Sequence, residues 1–139
     1  MIPQLGRTVG AVSAVLGVLL ASLLLAFEFL ARPWVVVGSS MEPALRAGDR
    51  VVVDVWTYGY RLPRAGEVVL FRPGTGAPAV VKRVSHIVPA PQGGEAAVWV
   101  LGDNPRDSLD SRQLGPIARG RIIGRVALRV GPMGIHEFP

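Results

Sequence analysis

The spacing of apolar residues changes near residue 33 of this chain. Residues 9–27 form an uncharged run of nineteen residues rich in Leu, Val and Ala. As a helix, such a run extends about 28 Å, which is close to the thickness of a bilayer core. Pro33 disfavours helical backbone at Arg32, so the helix should end there. The pattern predicts an N-terminal transmembrane anchor over residues 1–32 and a separate domain over residues 33–139.

After the proline, short apolar runs with alternating side chains are separated by turns that contain Gly or Pro. This pattern is typical of β-strands joined by tight turns, and no helical periodicity of useful length follows. We therefore expect a mostly β domain with a small barrel-like or folded sheet. The predicted strands are Trp34–Val37, Arg50–Val55, Glu67–Phe71, residues 79–88, Ala97–Leu101 and Arg121–Val130, the last being one strand or a strand pair.

Two other interpretations of the N-terminal run are weaker. A cleaved signal peptide has a shorter apolar region and a small-residue cleavage site, whereas bulky residues 27–30 follow this run. A buried core helix normally has a polar stripe, and here only Ser13 and Ser22 interrupt the apolar residues. A retained anchor fits best. Its orientation is not encoded by charge, because Arg7 precedes the helix and Arg32 follows it.

Composition excludes several classes of protein. The chain has no cysteine, so disulfides, thiol catalysis and cysteine metal sites are absent. The net charge is +5, but the arginines are scattered with few aromatic residues between them, which disfavours nucleic-acid binding. The acidic loop at residues 102–116 lacks the alternating ligands of a calcium loop, so no metal is expected.

The single lysine of the chain, Lys82, has an unusual position. It lies in an apolar run, and strand alternation places it on the same face as Val80 and Val84. A desolvated lysine can lose its proton, unlike an arginine. Upstream, Ser40 lies in a turn-like segment at residues 38–43, so the two residues suggest a serine nucleophile activated by an amine. The alternative for Lys82 is an edge position from which its amine reaches water.

Four segments in order resemble the conserved boxes of type I signal peptidases. Residues 40–45 resemble the Ser-Met-x-Pro-Thr-Leu box, with Ala44 in place of Thr. Residues 64–71 resemble the Arg-Gly-Asp-hydrophobic-Phe box, and residues 82–84 resemble the box of the catalytic lysine. Residues 102–112 resemble the last box. The order of the boxes behind an apolar N-terminal segment makes this resemblance specific.

The resemblance implies a role for each matching residue. Ser40 is the expected nucleophile, Lys82 the general base and Ser108 the serine that orients the lysine amine. Because Gly38 carries no hydroxyl, the oxyanion hole should use backbone N–H groups, with Ser39 as a possible helper. The expected structural residues near the site are Asp110 and Arg112 as an ion pair and Gly102, Asp103 and Asn104 as a shaping loop. Val36, Val37 and Val81 border the catalytic segments and are the candidate pocket residues.

The implied function is that of a membrane-anchored serine endopeptidase that forms an acyl-enzyme and needs no cofactor. Its expected partners are the lipid bilayer and exported preproteins whose signal peptides carry small residues before the cleavage site. Its expected location is the cell membrane, as a single-pass protein with an extracytoplasmic catalytic domain.

Three alternatives differ in substrate or class. A maturation protease dedicated to one or few substrates, of the nickel superoxide dismutase type, remains open because of the small size and Asn104-Pro105. A self-cleaving repressor would need a helical DNA-binding domain, and none is indicated. An inactive membrane-tethered β interaction module would have no reason to keep both Ser40 and Lys82.

Overall fold

The computed structural model describes residues 3–30, 32–90, 94–132 and 134–138. The chain divides into two compact units, Met1–Arg32 and Pro33–Pro139. The first contains one long helix, α1 (Pro3–Leu30), in which all the described side chains, at residues 10–25, are exposed.

The predicted N-terminal helix is thus present, but its transmembrane character is not supported by the structure. Among the described residues, no helix combines the length and the apolar character needed to cross a membrane.

The second unit is built on a curled antiparallel sheet, so the prediction of a mostly β fold is confirmed. The strand order is β1-β2-β7-β3-β4-β5-β6, and β8 also pairs with β7. The strands are β1 (Arg32–Val35), β2 (Arg50–Asp54), β3 (Val68–Phe71), β4 (Val80–Val88), β5 (Ala97–Leu101), β6 (Ile117–Ala118), β7 (Ile122–Gly131) and β8 (Gly134–Glu137). Two one-turn helices lie between strands, α2 (Thr57–Tyr60) and α3 (Ser111–Leu114).

Strand β3 explains why the sheet has apolar residues on both faces. β4 and β7 pair with its two edges, and its four residues are all buried. Alternation sends Val68 and Leu70 to one core cluster, with Met41, Leu45 and residues of β2. Val69 and Phe71 go to a second cluster on the other side. The uninterrupted apolar run is therefore the signature of a strand covered on both faces.

The strand register brings the segments of interest together. In the β3–β4 pair Val69 lies opposite Lys82, and in the β4–β5 pair Arg83 lies opposite Leu101. The loop that begins at Gly102 therefore leaves the sheet beside Arg83. Two segments far apart in sequence become neighbours through this pairing.

The ends of the sheet differ from the sequence prediction. The first strand ends at Val35, two residues early, and Val37 beyond it is 89% exposed. Strand β7 is continuous through Gly124, where a Cβ atom would overlap the Asp54 carbonyl oxygen of β2. Strand β8 was not predicted because all its residues are exposed, which leaves no apolar alternation to detect.

Candidate active site

The turn after β1 presents Ser40. Gly38 has a φ of +84°, which glycine adopts without a Cβ penalty. The Glu42 N–H donates to the Ser39 carbonyl oxygen at 3.0 Å. Met41 and Leu45 are 2% and 0% exposed, so they fix the segment in the first core cluster. The half-buried Ser40 directly precedes these anchors, so the packing of Met41 and Leu45 fixes the segment that carries it.

Lys82 meets Ser40 directly. Its side chain projects from β4 and is 4% exposed, and its Nζ donates to Ser40 Oγ at 2.6 Å. Burial lowers the pKa of Lys82, because removal from water disfavours the ammonium form. The carboxylates of Asp110, Asp107 and Asp103 act in the opposite direction and limit this decrease in pKa.

Asp110 organises the loop after β5. Its carboxylate is fully buried and accepts from the Gly102 N–H at 2.9 Å and from the Ser108 hydroxyl at 2.7 Å. Arg112 completes the ion pair at 2.8 Å, and its guanidinium holds the pKa of Asp110 well below the usual range. Asp110 also caps α3, whose Gln113 side chain accepts from the Asp110 N–H. The loop is therefore folded around one buried charge.

Ser108 lies near Ser40, and its side chain is bonded to Asp110. Its hydroxyl donates to Asp110, and no hydrogen bond joins Ser108 to Lys82 in the described part of the chain. A Cβ atom at Gly102 would overlap the Ser108 hydroxyl and lie 2.6 Å from the Ser40 carbonyl oxygen. Gly102 therefore allows the loop to pack against the nucleophile segment.

Arg83 connects the lysine strand to this loop, a contact that sequence reasoning missed. Its Nε and Nη2 donate to the two Asp103 carboxylate oxygens at 2.8 and 2.7 Å. Its Nη1 donates to the Gly66 carbonyl oxygen at 2.7 Å. The bidentate geometry requires arginine. In the sequence, the one indication of this role is that Arg83 follows Lys82 and therefore lies on the opposite face of the strand.

The loop also contacts the nucleophile turn itself. The Asn104 N–H donates to the Ser40 carbonyl oxygen at 3.0 Å, and the Asn104 amide donates to the Ser39 carbonyl oxygen at 3.2 Å. The Ser39 hydroxyl donates to Asp107. Ser39 is therefore engaged with the loop. Asp107 is a second residue that sequence reasoning did not single out.

A cleft of about 310 Å³ opens beside the serine and the lysine. Its wall is largely aliphatic, which suits an apolar segment of a bound chain. All three candidate pocket residues line it. The lining includes Val36, Val37, Val81, Trp34, Met41, Leu70, Ser40 and Lys82. Over the described residues, no group of three or more potential ligands could hold a metal ion.

Comparison with known proteins agrees with this architecture. The chain matches the family model described as "Signal peptidase, peptidase S26" over residues 8–89 and 91–131. It is 29% identical to a probable signal peptidase I-2 of Synechocystis sp. over 76% of this chain and 65% of that relative. It is 30% identical to subunit 1 of the human mitochondrial inner membrane protease over 81% of this chain and 77% of that relative.

A shorter match reaches higher identity. Signal peptidase I of Mycobacterium tuberculosis is 40% identical over 45% of this chain, which corresponds to 22% of that protein. The family match identifies the chain as a peptidase. The chain belongs to the type I signal peptidase family, peptidase S26.

Proposed function

We propose that this chain is a serine endopeptidase that uses Ser40 as nucleophile and Lys82 as general base. The observation that carries the proposal is the 2.6 Å contact between Lys82 Nζ and Ser40 Oγ, made by a lysine that is 4% exposed. A nucleophile and its base must lie within hydrogen-bond reach, and the base must be able to lose its proton. The contact with Ser40 and the burial that lowers the pKa of Lys82 support both conditions.

The reaction follows from this geometry. Neutral Lys82 takes the hydroxyl proton as Ser40 Oγ attacks the scissile carbonyl carbon, which forms a tetrahedral intermediate. The protonated amine then gives the proton to the leaving amine, and the peptide C–N bond breaks to leave an acyl-enzyme ester. Water, deprotonated by Lys82, attacks the ester, and Ser40 recovers its proton as the product acid leaves.

The negative oxygen of the tetrahedral intermediate needs hydrogen-bond donors. Gly38 has no side chain and the Ser39 hydroxyl is bonded to Asp107. Backbone N–H groups of the turn, chiefly that of Ser40, are therefore the proposed donors. Donors fixed in place before the reaction stabilise the developing charge without reorganisation, and loss of one typically costs about 100- to 1,000-fold in rate.

The proposed substrates are exported preproteins with small residues before the cleavage site. The support comes from membership of the signal peptidase family and from the aliphatic cleft beside Ser40. An extended chain in this cleft would place its scissile bond at the serine. Side chains of limited size would fit between the valines that line the cleft.

Anchoring to a membrane through α1 is a further part of the proposal. Its support is the uncharged run at residues 9–27 and the exposure of every described side chain in it, at residues 10–25. Exposed apolar surface of this extent is costly in water. The proposed arrangement is a single-pass cell-membrane protein with an extracytoplasmic peptidase domain.

The test is cleavage of a purified preprotein by the full chain in detergent. Ser40→Ala and Lys82→Ala are each expected to lower the rate by at least about 1,000-fold, since the two groups act as a unit. Lys82→Arg should be equally inactive because arginine keeps its proton. Ser85→Ala is the matched control, as Ser85 is an exposed serine of β4 that bonds only to neighbouring His86 among the described contacts.

Two outcomes would change the proposal. Undiminished cleavage by Lys82→Arg would exclude the lysine base. Cleavage of only one preprotein from a varied panel would favour the dedicated maturation protease instead.

A further inference from the structure

The side chain of Ser39 is bonded to the loop that follows β5. Its hydroxyl donates to the Asp107 carboxylate, across 68 residues of sequence. Asp107 is itself held by a 3₁₀ turn, Pro105–Asp107, in which its N–H donates to the Asn104 carbonyl oxygen at 3.2 Å. The carboxylate thus projects from a fixed segment toward the residue that precedes the nucleophile.

We propose that Asp107 is a positioning residue for the peptidase reaction, acting through Ser39 to hold the Ser39–Ser40 peptide group in the orientation that catalysis requires. This inference rests on the proposed function of Ser40. We call the pair of Ser39 and Asp107 the latch.

The peptide group between Ser39 and Ser40 is planar. In a trans peptide the C=O of Ser39 and the N–H of Ser40 point in opposite directions. The Ser39 carbonyl oxygen already accepts from the Asn104 amide at 3.2 Å and from the Glu42 N–H at 3.0 Å. These contacts direct the Ser40 N–H to the other side, where the proposed oxyanion hole lies.

The two hydrogen bonds to the Ser39 carbonyl oxygen do not by themselves fix the backbone dihedral angles on the N-terminal side of Ser39. Gly38, the preceding residue, has little steric restriction and a φ of +84°. The hydrogen bond from the Ser39 side chain to Asp107 restricts this rotation, because it ties Ser39 to a separate segment on the side of the peptide next to Gly38. Because displacement of a catalytic group by about 1 Å can cost on the order of 100-fold in rate, a modest restraint here affects turnover.

The latch is solvent-accessible, which limits its effect. Asp107 is exposed, and a hydrogen bond in contact with water contributes little net free energy. The expected consequence of losing it is therefore a decrease in kcat of about five- to tenfold rather than inactivation. KM should change little, because neither side chain lines the cleft.

The experiment is a double-mutant cycle on the full chain. The Asp107 charge also raises the pKa of Lys82, so kcat is compared at a pH above the midpoint of the wild-type rate profile, where that effect no longer changes the rate. There Ser39→Ala and Asp107→Ala should each lower kcat about five- to tenfold, and the double variant should lose no more than either single variant. Ser39→Thr and Asp107→Asn should keep most of the wild-type kcat, since each preserves a partner for the hydrogen bond. The pH at half-maximal rate should be the same for Ser39→Ala and the wild type.

Additive losses, a wild-type kcat in Ser39→Ala, or a shift of its pH midpoint would overturn the latch. A readout independent of turnover separates this inference from the proposed function. The proposed function fails if the wild type cleaves no preprotein, or if Ser40→Ala cleaves as well as the wild type. Hydrogen exchange then tests whether the latch restrains the turn. Faster amide exchange across residues 38–45 in both single variants would then support it, and unchanged exchange would refute it.

Discussion

At the scale of single residues, the central feature is the balance of charge around Lys82. An ordinary lysine, with a pKa of about 10.4, is neutral in roughly one molecule in 2,500 at pH 7. Burial lowers the pKa of Lys82, whereas Asp110, Asp107 and Asp103 raise it. Burial prevails, so the fraction of neutral amine is larger than in water. Each unit of decrease in pKa raises this fraction about tenfold.

The pH dependence of the reaction tests this balance. If neutral Lys82 is the general base, as proposed, kcat/KM should rise with pH through the pKa of Lys82 and level off above it. The midpoint should lie below about 10.4, the value for a lysine in water. Initial rates on a peptide substrate between pH 6 and 10 measure it. A rate independent of pH over this range would contradict a lysine base.

Residue type decided how much of the site could be predicted. Ser40 and Lys82 stand out because a lone lysine among valines and a serine in a glycine turn are each unusual. Asp107 and Arg83 do not, since exposed aspartates and arginines are common in any sequence. Their partners, Ser39 and Asp103, lie 68 and 20 residues away, and only the fold brings them together.

At the scale of elements, the loop at residues 102–112 acts as a folded support for the site. The Asp110 carboxylate organises the loop, and Asn104 and Asp107 bond it to Ser39 and Ser40. One element thus joins the end of β5 to the nucleophile turn. Arg83 provides a second connection, from β4 to Asp103.

The close packing around Gly102 can be tested by substitution with alanine. In Gly102→Ala the new methyl group would overlap the Ser108 hydroxyl and lie 2.6 Å from the Ser40 carbonyl oxygen. We expect a loss of about 1–3 kcal/mol in the free energy of unfolding, typical of overpacking, and a decrease in kcat of at least about tenfold. Urea denaturation and cleavage kinetics measure the two effects.

Gly74→Ala is the matched control for this substitution. A Cβ atom there meets nothing within 4 Å, and the backbone has no positive φ. It should leave both stability and kcat near the wild-type values. Equal effects of the two substitutions would mean that contact with Ser108 and Ser40 is not the cause.

Strands with a clear apolar alternation or a continuous apolar run were predictable. Ala97–Leu101 was predicted with its observed bounds, because its alternation reflects one face against the core. β3 was predicted within one residue from its apolar run. The exposed edge strand β8 left no pattern, since all four of its residues are exposed and none belongs to a core cluster among the described residues.

At the scale of the whole molecule, the helical unit and the β unit have different physical character. Both described core clusters consist of residues between Trp34 and Phe138. The helix α1 contributes no residue to either cluster, and its described side chains are exposed. The β unit therefore has the apolar core that independent folding requires.

A chain that begins at Arg32 tests this separation and keeps β1 complete. It should unfold cooperatively, because both core clusters are unchanged. Its midpoint temperature should lie within about 5 °C of that of the full chain. Thermal unfolding followed by circular dichroism measures this. After an alkaline carbonate wash, the full chain should stay with the membrane pellet and the shortened chain should be released. Release of both would contradict anchoring by α1.

The sequence by itself determined the class of fold and the positions of most strands along the chain, and it singled out Ser40 and Lys82 as the candidate catalytic pair. These features depend on local periodicity and on residue types whose chemistry is distinctive, so they are encoded in short segments. Only the tertiary structure decided which polar groups meet: Ser108 with Asp110, Arg83 with Asp103, and Ser39 with Asp107. Such contacts depend on strand register and loop path, which follow from packing of the whole sheet rather than from any single segment.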